Sequence, residues 1–162
     1  MIRKARPEDA PNIVKIYNYY VENSVITFDI EPVSVEEMRE KITAILQNYP
    51  YLVYEENGSI LGYCYVSAWK KRYAYRTTVE STVYIDKNHH QRGIGKALMI
   101  RLIEELKKTD IHAIIACITI PNEKSISLHE KLGFKQVSEF KEVGFKFGKW
   151  LDVGDWELKT KN

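Results

Sequence analysis

Only two cysteines, Cys64 and Cys117, occur in the 162 residues, each inside an apolar, strand-like run. A disulfide framework needs more, so both are expected to be buried free thiols of a protein kept in a reducing compartment. No hydrophobic run reaches the ~20 residues of a membrane span. The opening stretch, MIRKARPEDAP, turns polar after Ile2 and carries no apolar signal core. The expected setting is therefore the cytoplasm, with no membrane partner. Charge of one sign is missing too: 24 Lys and Arg stand against 22 Asp and Glu, a net +2. No basic tract interleaved with aromatics occurs, which argues against a nucleic-acid partner. Lys70-Lys71-Arg72, the densest basic run, reads as a solvated loop. The four histidines, at 89, 90, 112 and 129, show no H-x-x-x-H or similar ligand spacing, so no metal is expected.

What is present suits one domain over 1–162, long enough to bury a core without staples. MIRKA suggests a short strand. PEDAPNIVKIYNYYVEN carries Ile13, Ile16, Tyr17, Tyr20 and Val21 at helical spacing, with its prolines near the start, where a missing N–H is tolerated. Ser34 and Glu37 form an S-x-x-E capping box opening a second helix to about Gln47, with Val35, Met38, Ile42 and Leu46 as its buried stripe. Two apolar-rich runs around Asn57-Gly58 give a hairpin, and TTVESTVYID alternates as a β-branched strand. A helix from about Gly93 to Lys108 presents Ile94, Leu98, Leu102, Ile103 and Leu106 to a core. IHAIIACITI is almost uniformly apolar, as for a strand covered on both faces. Asn122 fits the N-cap of a short helix ending at Gly133. Two long strands follow, in which Trp150 and Trp156 are expected to pack internally. The order β-α-α-β-β-β-α-β-α-β-β gives an α/β (α+β) class: a mixed central sheet of about seven strands with helices on its faces.

One stretch, HHQRGIGKALMIRLIEELKK, sets Gly93 and Gly95 one residue apart ahead of a long amphipathic run, although glycine costs helix stability. A strand, a glycine turn and a helix N-terminus make an anion site, because free N–H groups and the helix dipole favour phosphate. Arg92 and Lys96 would add charge. Position 98 is Leu, so this is not G-x-G-x-x-G, and no Walker A loop can be placed. A tight turn without a ligand fits the same residues.

QRGIGKALM after STVYID, followed by PNEKSISLHEKLGF, resembles the acetyl-CoA signature of the GCN5-related N-acetyltransferase (GNAT) superfamily. There a Q/R-x-x-G-x-G/A loop binds the CoA pyrophosphate. His90-Gln91-Arg92-Gly93-Ile94-Gly95 matches its glycines, with His90 in the first position and Gln91 one place late. ITFDIEP, YAYRTTVESTVYID and GFKFGKWLDVGDWEL extend the resemblance, over roughly residues 2–158, to the phosphinothricin N-acetyltransferase branch, which includes enzymes acting on methionine sulfoximine and methionine sulfone. The resemblance implies a GNAT fold with acetyl-CoA as cosubstrate. It puts Gln91, Arg92, Gly93, Ile94, Gly95 and Lys96 in the pyrophosphate loop. Val83, Tyr84 and Ile85 would pair with the pantetheine arm through their backbone, with Asn122 and Ser125 beside the same arm.

Acetyl transfer needs a neutral amine, an oxyanion donor, a stabilised thiolate and aligned substrates. Glu80 stands mid-strand and shares a face with Thr78, Thr82 and Tyr84. On residues alone it is either a base or an exposed strand carboxylate; the resemblance implies the base. His129 shares a helix face with Asn122 and Ser125. Alone it also reads as a packed histidine, whereas the resemblance implies a catalytic role, at a position where many superfamily members carry the acid for the CoA thiolate. The resemblance puts the substrate carboxylate clamp between the third and fourth strands, where Arg76 is the positive residue flanked by Tyr75 and Thr77. Phe28 would wall the side-chain pocket. A homodimer closed by the aromatic C-terminal region is also implied. The rivals are transfer to a polyamine, an aminoglycoside or a protein N-terminus, and a non-catalytic acyl-CoA sensor. A sensor needs neither Glu80 nor His129, and no acidic run suggests a polyamine groove.

Overall fold

The structure, a computed structural model, describes residues 1–161. Local signals set its element ends. Ser34 Oγ accepts from Glu37 N at 3.0 Å, and Glu37 Oε1 accepts from Ser34 N at 3.3 Å. This reciprocal pair opens α2 (Val35–Leu46). α1 (Ala10–Asn23) begins behind a 3-10 turn at Pro7–Asp9. Asn57 (φ 51) and Gly58 (φ 80) adopt the left-handed pair that a two-residue hairpin requires, joining β2 (Tyr51–Glu56) to β3 (Ser59–Ala68). α3 spans Ile94–Leu106 and α4 spans Glu123–Lys131, with Asn122 Oδ1 accepting from Ser125 N at 3.3 Å.

These strands join β1 (Ile2–Lys4), β4 (Thr78–Ile85), β5 (Ala113–Ile120), β6 (Lys135–Lys146) and β7 (Lys149–Lys159) in one sheet, ordered β1-β2-β3-β4-β5-β7-β6. Only β4 and β5 run parallel; every other neighbouring pair is antiparallel. One face packs on α1 and α2 through Ile13, Tyr17, Met38, Ile42, Tyr63 and Tyr65. The other packs on α3 through Leu98, Met99, Leu102 and Leu106.

Three expectations need correction. The α2 stripe is Met38, Ile42 and Ile45; Val35 is exposed and Leu46 half-buried, because both fall on the flank of the stripe. Cys64 is buried, but Cys117 is exposed. β5 is therefore not covered along its whole length. Trp156 is 2% exposed, whereas Trp150 is 64% exposed. α4 covers Trp156, whose Nε1–H donates to Glu130 at 3.2 Å. Trp150 stands near the tip of the β6–β7 hairpin and meets Phe145, ring to ring at 4.8 Å.

Candidate active site

The parallel pairing of β4 with β5 lasts only from Thr78↔Ala113 to Glu80↔Ile115. Beyond Glu80 the strands diverge, while β4 stays paired with β3 and β5 with β7. A cavity of about 240 Å³ fills the gap, lined by Glu80 and Thr82 of β4, Cys117 and Thr119 of β5, and Asn122 and His129 around α4. Ser125, Val83, Tyr84 and Phe28 complete much of its wall. Asp86 N donates to Leu61 O at 2.8 Å. Antiparallel alternation then turns the backbone groups of Ser81, Val83 and Ile85 into the gap and those of Tyr84 toward β3. Val83 and Ile85 thus offer main-chain pairing to a ligand, and Tyr84 offers only its ring.

Glu80 is the one carboxyl group in this cavity wall. Burial, with the Asp155 carboxylate nearby, raises its pKa above the usual range, and Lys41 opposes this. His129 is 3% exposed. Its Nδ1–H donates to Ser125 O at 2.7 Å, and its ring stands edge-on to Phe134. Burial lowers its pKa, so the ring is neutral at pH 7 with Nε2 as an acceptor. The Cys117 thiol is pushed up to about 12 by burial and by Asp155 and Glu80. A thiol so hard to ionise is a poor nucleophile, which disfavours a ping-pong route through it.

The gap continues into a second cavity of about 160 Å³ along Val83, Tyr84, Ile85, Gly95 and Ser125. A third, about 510 Å³, borders Gln91, Gly93, Ile94, Gly95 and Lys96 at the start of α3. The turn at its head needs left-handed backbone at Gln91 (φ 64) and Gly93 (φ 76). Gly93 caps α3 without any side-chain bond, and the first helical bond is Ala97 N to Gly93 O at 3.0 Å. The N–H groups ahead of it have no helical acceptor. A Cβ on Gly95 would meet nothing nearer than Leu128 at 3.5 Å, so packing alone does not demand glycine there. Free donors, a helix N-terminus and the ammonium groups of Lys96, Lys124 and Lys131 fit a pyrophosphate.

Not every expected residue converges. Arg92 lies outside these cavities and pairs with both carboxylate oxygens of Glu56, at 3.0 and 3.1 Å. Arg76 and Tyr75 also stand away from the cavity wall: Arg76 lies over the Tyr73 ring at 4.4 Å, and Tyr75 packs edge-on to Trp69. Thr77 spends its carbonyl on His112 N and Ala113 N. His90 bonds Tyr20 Oη at 2.9 Å, and Tyr20 donates to Ile85 O; this tie joins the glycine turn to β4. Sequence reasoning missed Tyr20, Lys124 and Lys131. The two lysines were within reach, since 124, 128 and 131 fall on one face of a helix capped by Asn122.

The chain resembles known proteins along nearly its whole length. Residues 2–153 match the family described as the acetyltransferase (GNAT) domain. The chain is 38% identical over 160 residues to a phosphinothricin N-acetyltransferase of Streptomyces coelicolor, covering 96% of this chain and 94% of that protein. It is 36% identical over 159 residues to an L-methionine sulfoximine/L-methionine sulfone acetyltransferase of Salmonella typhimurium, covering 98% and 93%. The crystal structure of a GNAT superfamily phosphinothricin acetyltransferase from Sinorhizobium meliloti, in complex with AcCoA, superposes with a TM-score of 0.95 at 37% identity, covering 98% of this chain and 87% of that one. A split between β4 and β5 with a carboxyl group at its head and a turn of free N–H groups at its foot belongs, in this chain, to a member of the GNAT N-acetyltransferase family, in its phosphinothricin and methionine sulfoximine acetyltransferase branch.

Proposed function

We propose that the protein transfers the acetyl group of acetyl-CoA directly to the α-amine of a small amino acid or analogue of the phosphinothricin, methionine sulfoximine or methionine sulfone type. The observation that carries this reading is Glu80 at the head of a groove whose foot offers free N–H groups and three lysines. The acceptor nitrogen must lose two protons overall, and the departing sulfur gains one. Glu80, its pKa raised by burial, takes the first, directly or through water. His129 Nε2, an acceptor at rest, takes the second and can return it to the sulfur. A thiol of pKa ~8.5 leaves readily, so this return adds modestly. The gap-facing N–H groups of β4 supply donors for charge developing on the acyl oxygen. Arg76, Tyr75 and Thr77 are assigned to the acceptor carboxylate, which requires the β3–β4 loop to swing toward the cavity. The aromatic β6–β7 hairpin is assigned to a homodimer, and the reducing cytoplasm suits its two free thiols.

The test is release of CoA thiol by the purified protein with phosphinothricin, methionine sulfoximine, methionine sulfone, spermidine and a short peptide. Release is expected with the amino acid analogues only, reduced about 10²–10⁴-fold in Glu80→Gln. Release with spermidine or peptide instead would overturn the substrate assignment.

A further inference from the structure

Lys146 is an anomaly that the chemistry above does not use. It is 2% exposed, on the edge strand β6. Its Nζ donates to Thr27 O at 2.8 Å, a contact spanning 119 residues of chain. An ammonium has three donors, and burying one with a single carbonyl acceptor is costly, even with the Phe147 ring face 5.1 Å from the Nζ. Burial lowers its pKa, while Asp29 opposes that shift. Two residues earlier, a Cβ on Gly144 would stand 2.4 and 2.5 Å from ring carbons of Phe28. Only a glycine lets that ring lie on the strand. The chain reaches this position through a bulge. Phe140 faces Val153, but Gly144 already faces Leu151, so β6 carries two extra residues there. Glu142 holds the bulge with φ 54 and donates its N–H to Asp152 at 2.9 Å.

The segment held by Lys146 and Gly144 is part of the cavity wall. Thr27 and Phe28 line the Glu80 cavity, and Ile26 lines both that cavity and the next one along the groove. From the other side Tyr17 Oη meets Thr27 Oγ1 at 2.8 Å and donates to Asp29. Thr27 is therefore held from two sides, at its hydroxyl by a phenol on α1 and at its carbonyl by an ammonium on β6.

We propose that Lys146 is a positioning residue for the acceptor amine: by pinning the Thr27 carbonyl and seating Phe28 on Gly144, it fixes the wall at the junction of the acceptor cavity and the groove. This rests on the acetyltransferase reading for its kinetic consequence, though not for its structural one. Without the ammonium the Thr27 carbonyl is left buried and unpaired, and the segment must move to reach water. The part of the groove at the start of α3 touches neither Lys146 nor residues 26–28, and only Ile26 of the segment reaches the stretch along Val83 to Ile85, so acetyl-CoA affinity should change far less than that for the amine.

The experiment compares wild type with Lys146→Met and Gly144→Ala. Three readouts are followed: amide hydrogen exchange over residues 25–30, the acetyl-CoA dissociation constant, and KM and kcat for whichever amine the wild type acetylates. In both variants exchange at 25–30 is expected to quicken and KM for the amine to rise about tenfold, a loss of about 1.4 kcal/mol of binding. The acetyl-CoA constant should stay within about twofold. Lys146→Arg, which keeps a donor, should recover part of the protection. Unchanged exchange in a folded Lys146→Met protein, or equal weakening of amine and acetyl-CoA, overturns the proposal. If Lys146→Met does not fold, Gly144→Ala carries the same test. A wild type that acetylates no amine defeats the function reading, while the exchange result still decides whether Lys146 pins the Thr27 segment.

Discussion

With Glu80 as the proposed base, activity and stability depend on it in opposite senses. Its carboxyl is held above the ordinary pKa, mainly by burial. A Glu raised in the folded state binds its proton more tightly there than in the unfolded chain. Stability from this group is therefore full below the unfolded pKa of about 4.3 and lost as pH rises through the raised folded value. Glu80→Gln removes the half-buried charge. The variant should be at least as stable as wild type at pH 8, by denaturant unfolding, with the advantage vanishing below about pH 4. The same variant should have lost its acetylation rate. A Glu80→Gln protein that is both less stable and less active at pH 8 would mean that the carboxylate holds the fold. His129 adds the converse: its neutral ring is favoured in the fold, so its contribution to stability is present above pH ~6.5 and fades as pH falls.

At the scale of elements, the two glycines ahead of α3 separate into two kinds. Gly93 takes φ 76 and needs its backbone freedom. Gly95 has a φ that any residue adopts and room for a methyl group, but it borders both cavities below the gap. Gly93→Ala should cost about 1–2 kcal/mol in unfolding measurements. Gly95→Ala should hold stability or raise it by up to about 1 kcal/mol, yet weaken acetyl-CoA about tenfold by calorimetry, since its methyl enters the groove. Loss of stability in Gly95→Ala with unchanged acetyl-CoA binding would reverse the assignment. Sequence carried the elements well because capping at Ser34 and Asn122, the Asn57-Gly58 turn and the α3 stripe are local signals. It also marked Glu80, an acid out of place among β-branched residues. It did not show that Cys117 opens onto a cavity, because the parting of β4 from β5 is a relation between strands distant in sequence. Nor did it show that Glu56, on the neighbouring hairpin, would occupy Arg92.

For the whole molecule the open question is what covers the β6–β7 hairpin. Among the described residues, six of the thirteen large hydrophobic side chains that stand exposed belong to it: Val137, Phe140, Val143, Phe145, Phe147 and Trp150. Phe28, which is 41% exposed and lies on Gly144, adjoins the same hairpin. Patches of this size on an edge strand mark an interaction surface. Strand alternation could not distinguish Trp150 from Trp156, since both lie at even positions and only α4 decides which is buried. The proposed homodimer assigns a second copy of the chain to this surface. Light scattering at micromolar concentration should then give twice the 19.0 kDa chain mass, and Trp150→Lys with Phe147→Ser should give one chain. Because the same hairpin end carries Gly144 and Lys146, dissociation should also loosen the acceptor wall. The monomeric variant should therefore bind acetyl-CoA normally and show a raised KM for the amine. A wild-type protein that is monomeric throughout would leave the acceptor wall to the Lys146–Thr27 contact within a single chain and remove the second copy from the site.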